Sequence, residues 1–157
     1  MVYKKMRKIC IFGVHHKYQE ETPINPYFRQ HLCELAKHHQ IDYLLEEATG
    51  LPPNSCVEVL AKETLGVQWK NVDLCREQRK LIKDAADSSI YDTFQDLDLH
   101  ECREWVWAVR TSANVKNSGL LVCGICHVLS LAEKLRWLNF EVEAHVYARR
   151  RDEGVLY

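Results

Sequence analysis

Apolar residues in this chain fall into short continuous runs, separated by longer stretches in which they recur at helical spacing. Lys8-Ile9-Cys10-Ile11-Phe12-Gly13 is the first run, and it reads as a buried strand of a parallel sheet. Asn25 and Pro26 then open a helix as N-cap and first helical residue, with Phe28, Leu32, Leu35 and Ala36 as its apolar stripe. Ile41 to Leu45 is a second strand, closed by Glu46 and Glu47. Thr49 to Asn54 is a loop by composition. Ser55-Cys56-Val57-Glu58 fits a capping box, so a helix runs to Leu65 and stops at Gly66. Val67 to Val72 is a third strand, and Asp73 caps a helix to about Ala86. The polar stretch 87–98 is irregular or a short helix. His100 to Val115 is a helix that uses Trp105, Trp107 and Val109 for packing, both tryptophans being buried. Asn117-Ser118-Gly119 makes a turn. Leu120 to Cys123 is a strand, His127 to Leu138 a helix and Phe140 to Tyr147 the last strand.

Strand alternates with helix throughout. That order predicts an α/β fold: a three-layer sandwich with a mainly parallel sheet of about five strands and helices on both faces. No repeat or linker divides the chain, so one domain is expected over 1–157, with its core at 8–147 and a charged tail at 148–157.

Composition narrows the function. The chain has 157 residues, 46% of them hydrophobic, enough for one buried core. Its net charge of −1 leaves no electrostatic footprint for nucleic acid or an anionic membrane. No window is apolar enough to span a bilayer, and Ile9 to Val14 is too short for the centre of a signal peptide, so a cytoplasmic location is expected. The seven cysteines are odd in number and spread along the chain, which favours reduced thiols used as small hydrophobes over a disulfide framework.

Ligands of an open parallel sheet bind beyond the carboxyl ends of its strands. Those ends here carry Gly13-Val14-His15-His16, Glu46-Glu47, a segment near Asp73, and Gly124-Ile125-Cys126-His127. Histidines with carboxylates are the equipment of a divalent metal site or of acid–base chemistry. The glycines suit a sharp turn out of each strand. Of two adjacent histidines at most one is central, and Asp73 reads better as a helix cap than as a ligand. Cys123-Gly124-Ile125-Cys126-His127 matches the haem-attachment pattern C-x-x-C-H, which needs an exported chain. A thioredoxin-type reading needs two further strands and a helix after the motif's own helix, more than the remaining residues supply.

Four blocks together resemble the Tiki/TraB/erythromycin-esterase-like superfamily: Gly13-Val14-His15-His16, Leu44-Leu45-Glu46-Glu47-Ala48, Arg103-Glu104-Trp105-Val106-Trp107, and Gly124-Ile125-Cys126-His127-Val128-Leu129-Ser130-Leu131. The resemblance spans about residues 8–147. It implies His16 and His127 as the two G-x-x-H histidines, a glutamate after the second strand (Glu47 by preference, since a small residue follows it, with Glu46 the alternative), and Arg103 as a site arginine. The superfamily's branches include metal-dependent proteases, a lactone esterase without an evident metal and a haem- and iron-binding lipoprotein, and a hydrolase of small-molecule or peptide substrates is the expected function. His16, Glu47 and His127 would hold a divalent metal (Mn, Co, Fe or Zn) or activate water directly, and Arg103 would stabilise negative charge. The chain lacks the long insertions that build substrate pockets in larger members, so a homodimer could complete the pocket. The rival reading is a non-catalytic module that binds a nucleotide or other small anion in the same place.

Overall fold

A computed structural model of the chain describes residues 5–88 and 99–147. The predicted irregular stretch beyond residue 88 and the predicted charged tail lie outside the described residues. The elements in order are β1 (Arg7–Val14), α1 (Lys17–Glu20), α2 (Pro26–His38), β2 (Tyr43–Glu46), α3 (Cys56–Val59), β3 (Gln68–Asn71), α4 (Arg76–Ser88), α5 (Leu99–Asn114), β4 (Ser118–Gly124), α6 (Val128–Trp137) and β5 (Phe140–Val146). A wider π-type turn, Leu60–Leu65, continues α3, and a 3₁₀ turn, Ile125–His127, precedes α6.

The five strands form one sheet in the order β3-β2-β4-β1-β5, and every pairing is parallel. Side chains alternate across it as the strand period requires. Cys10, Phe12, Val14, Leu44, Leu120 and Val122 belong to one core, where Phe28 and Leu32 of α2 and Val57 of α3 cover them. Ile9, Ile11, Leu45, Leu121 and Cys123 belong to the other, beneath Trp107 of α5 and Leu131 and Leu135 of α6. The architecture is the expected α/β sandwich, with helices on both faces. Each fully buried Leu or Phe contributes about 1.5–3 kcal/mol by leaving water, so the two cores supply the main driving force. Among the described residues no helix is long and apolar enough to cross a membrane.

Local signals explain most boundaries. The Asn25 side chain accepts from the backbone N–H of Tyr27 and Phe28, with Pro26 opening α2. The Ser55 hydroxyl accepts from the Glu58 N–H, and Gly66 ends the π-type turn in the left-handed region at φ 64°. Three expectations need correction. Asp73 is no helix cap: α4 starts at Arg76, and the Gln78 side chain accepts from the Cys75 N–H at 2.9 Å. Asn117-Ser118-Gly119 is not a turn, because β4 already begins at Ser118. Trp105 is 39% exposed while Trp107 is buried.

Gly13 serves close approach rather than a turn. It lies inside β1, and a Cβ there would come within 2.3 Å of Val128 Cγ2. The missing side chain lets the start of α6 sit down on the sheet.

Candidate active site

The carboxyl ends of three adjacent strands, β2, β4 and β1, present Glu47, Gly124 with His127, and His16. The alternation of β2 decides between the two glutamates. Glu46 follows Leu44 onto the α2 face, where it accepts from Gln19 (2.7 Å), Ser55 (2.6 Å) and Trp69 (2.8 Å). Glu47, one residue on, turns to the opposite side. Its Oε1 accepts from Arg103 Nη2 at 2.5 Å and its Oε2 from the Gly124 N–H at 2.9 Å.

Both histidines address this pinned carboxylate. His16 Nε2 lies 3.8 Å from Glu47 Oε2 and His127 Nε2 lies 4.0 Å from Glu47 Oε1. These gaps exceed a direct hydrogen bond. The exposed His15 stands outside the cluster.

The far side of each ring is held. His16 Nδ1 lies 2.7 Å from Gln19 Oε1. Because Gln19 Nε2 donates to Glu46 and to the Glu47 carbonyl, its oxygen is the acceptor and His16 Nδ1 carries the proton. His127 Nδ1 lies 2.7 Å from Glu104 Oε1, which assigns the same tautomer there. Each Nε2 is then left as a lone-pair nitrogen facing Glu47. His127 is buried, with Trp107 edge-on to its ring at 4.8 Å, whereas the His16 side chain is 48% exposed.

A buried charge network supports the arginine. Arg103 Nε and Nη2 donate to the two oxygens of Asp73 at 3.1 and 2.9 Å. Trp107 Nε1 donates to Asp73 Oδ1 at 2.8 Å, and Arg79 pairs with Asp73 Oδ2. Burial raises the Asp73 pKa, but the bonds from Arg103 and Trp107 and the nearby guanidinium charges outweigh it and hold Asp73 below its ordinary value. Burial likewise raises Glu104, and bonds from Ser130, His127 and Lys134 bring it below the usual range. Glu104 is therefore a carboxylate that keeps the His127 ring in place. Burial pushes Glu46 the other way, to about 7, despite its three donors.

The expected metal arrangement can be tested on these contacts. A three-ligand centre needs one point that all three donors reach. His16 and His127 face different oxygens of Glu47, and each oxygen already accepts a bond from Arg103 or Gly124. Among the described residues, the His/Cys/Asp/Glu group whose ligand atoms converge within 4.8 Å is Cys10, His39 and His145, elsewhere in the molecule. His16, Glu47 and His127 thus face one another across gaps of 3.8 and 4.0 Å and converge less closely than that second group. A metal ion could be held by the Cys10, His39 and His145 cluster.

Gly124 belongs to the site as well. A Cβ there would lie 3.2 Å from His16 Nε2 and 3.4 Å from Glu47 Oε2, inside the space the three polar groups enclose. Sequence reasoning passed over Gln19 and Glu104. Gln19 lies three residues after His16, one helical turn on, and Glu104 is next to Arg103. Those spacings were the available signals, and neither names a partner.

No protein-family model, curated protein or solved structure matches this chain.

Proposed function

We propose that this chain is a hydrolase of the Tiki/TraB/erythromycin-esterase-like type, acting on a small-molecule or peptide carbonyl by metal-independent acid–base chemistry. The observation that carries this reading is the pair of imidazole Nε2 atoms facing one carboxylate pinned by Arg103 and the Gly124 N–H. A water held between Glu47 and His127 gives its proton to His127 Nε2 as its oxygen attacks the carbonyl carbon. The electron pair displaced onto the carbonyl oxygen is stabilised by Arg103, whose Nη1 carries no hydrogen bond among the described residues. His127 then returns the proton to the leaving group. His16, in an open pocket with Arg79 and Arg103, contacts substrate or supplies the second proton relay. The reading places the chain in the cytoplasm, a reducing compartment in which its seven cysteines stay free.

The anion-binding alternative is weaker on charge. Two guanidinium groups, Arg79 and Arg103, face two carboxylates, Asp73 and Glu47, so the cluster offers no surplus positive charge. A panel of carboxylic esters, lactones and peptides assayed with wild type and His16→Ala/His127→Ala separates the two. Product formed by the wild type and lost in a folded double variant supports the hydrolase. Thermal stabilisation by nucleotides or phosphate with no product from any substrate supports binding instead. The proposed homodimer is checked by sedimentation: a dimer would allow a second subunit to complete the pocket, and a monomer would confine the site to one chain.

A further inference from the structure

A second cluster of ligating side chains lies away from the candidate active site. It sits on the α2 face of the β1–β5 flank of the sheet. Cys10 of β1 pairs in register with Glu143 of β5, and Phe12 with His145, so Cys10, Glu143 and His145 all project to that face. His39, the C-cap residue of α2, reaches over them from above, and its carbonyl accepts from Ser118, the residue that opens β4. One ligand atom each from Cys10, His39 and His145 lies within 4.8 Å of the other two.

The hydrogen bonding of the cluster is incomplete. His39 Nε2 is buried without a hydrogen-bond partner, and its side chain is only 11% exposed. A buried polar atom left without a partner destabilises the fold. The nearest acidic oxygen, Glu143 Oε2, stands 3.6 Å away, beyond a hydrogen bond, while Glu143 Oε1 meets His145 Nε2 at 2.6 Å. The glutamate thus lies against both imidazoles and is half exposed, which leaves the cluster open to solvent on one side. A cation between the rings would give His39 Nε2 the partner it lacks.

We propose that Cys10, His39 and His145 form a metal-binding site for a borderline divalent cation, zinc being the best match, with Glu143 as the adjoining carboxylate. Thiolate, imidazole and carboxylate together are the donor set of zinc, whereas magnesium and calcium take oxygen ligands. Cys10 thiolate and Glu143 carboxylate also balance the charge of one divalent ion. Binding breaks the Cys10 S–H bond, forms an S–metal bond and releases the proton to the buffer. Because the ligands come from α2, β1 and β5, the ion would tie the edge strand β5 and the end of α2 to the interior of the sheet. This site is independent of the proposed hydrolytic one.

The test is cobalt(II) titration of the full chain under a phosphine reductant, followed by visible and near-ultraviolet absorption. One cobalt per chain is expected, with tetrahedral visible bands and a thiolate-to-cobalt charge-transfer band that zinc displaces. The charge-transfer band should vanish in Cys10→Ser. Affinity should fall at least about tenfold in His39→Ala/His145→Ala and stay unchanged in His16→Ala/His127→Ala. The histidine variant decides the matter if Cys10→Ser fails to fold, since His145 is on the edge strand and His39 follows the end of a helix. A wild type that binds no cobalt, a thiolate band that survives Cys10→Ser, or unchanged affinity in folded His39→Ala/His145→Ala overturns the site.

Discussion

Glu46 and Glu47 are neighbours in the chain with opposite environments, and each supports its own experiment. Burial raises Glu46 to about 7 in the folded protein, above the value of 4.5 that it regains on unfolding. The folded state therefore holds a proton that the unfolded state has released between those two values. The stability this contributes is full below about 4.5 and lost as pH rises through about 7. Glu46→Gln, which keeps the shape of the protonated acid, removes the dependence. Wild type should lose melting temperature relative to Glu46→Gln between pH 5 and 8, by a few degrees at about 2–4 °C per kcal/mol. A constant difference across that range would show that Glu46 does not titrate there. Gly124 tests the other carboxylate. Gly124→Ala puts a methyl 3.2 Å from His16 Nε2 in the space between the rings and Glu47, so turnover should fall about tenfold or more with little change in melting temperature. Unaltered turnover would mean that this space is not where substrate or water reacts.

Among the elements, α5 and α6 are tied through one residue. Glu104 of α5 holds His127 as well as Ser130 and Lys134 of α6, the lysine at 3.0 Å. Glu104→Gln keeps the volume but makes the support of Nδ1 depend on which way the amide turns. Turnover should drop about tenfold or more while helix content stays the same, as measured by circular dichroism beside the kinetic assay. Most of this level was legible in the sequence. Continuous apolar runs marked β1, β2 and β4, and Asn25, Ser55 and Gly66 marked helix ends by their own local bonds. Asn117-Ser118-Gly119 misled because its composition is that of a turn. In the fold, the Ser118 hydroxyl donates to the His39 carbonyl at 2.8 Å, and a Cβ at Gly119 would come within 2.6 Å of Val115, so that glycine serves packing. Gln19 and Glu104 escaped because their roles depend on partners far away in sequence, which no local pattern encodes.

For the whole molecule, Asp73 is the point where the sheet, α4 and α5 are joined by charge. Arg79 of α4 and Arg103 and Trp107 of α5 all donate to it. Asp73→Ala leaves Arg103 facing Glu47 alone and the Trp107 N–H without its acceptor. Breaking one partner out of a buried pair costs about 3–5 kcal/mol, so the urea midpoint should fall sharply with an unchanged slope. A loss below about 1 kcal/mol would mean that water replaces the carboxylate at little cost. The sequence had suggested a helix cap here, because an acidic residue before a helical stripe fits that role and the arginines that claim Asp73 come 6 and 30 residues later. Strand-end positions and the resemblance point to His16, Glu47 and His127, the resemblance alone points to Arg103, and the fold brings these four side chains together. Their chemistry is tested most directly by kcat/KM for p-nitrophenyl acetate, measured on wild type and His127→Ala with matched circular dichroism spectra. Saturable turnover by the wild type, reduced about 100-fold or more in the variant, is the expected result. Equal rates in the two folded proteins, or no saturable turnover by the wild type, would contradict the account.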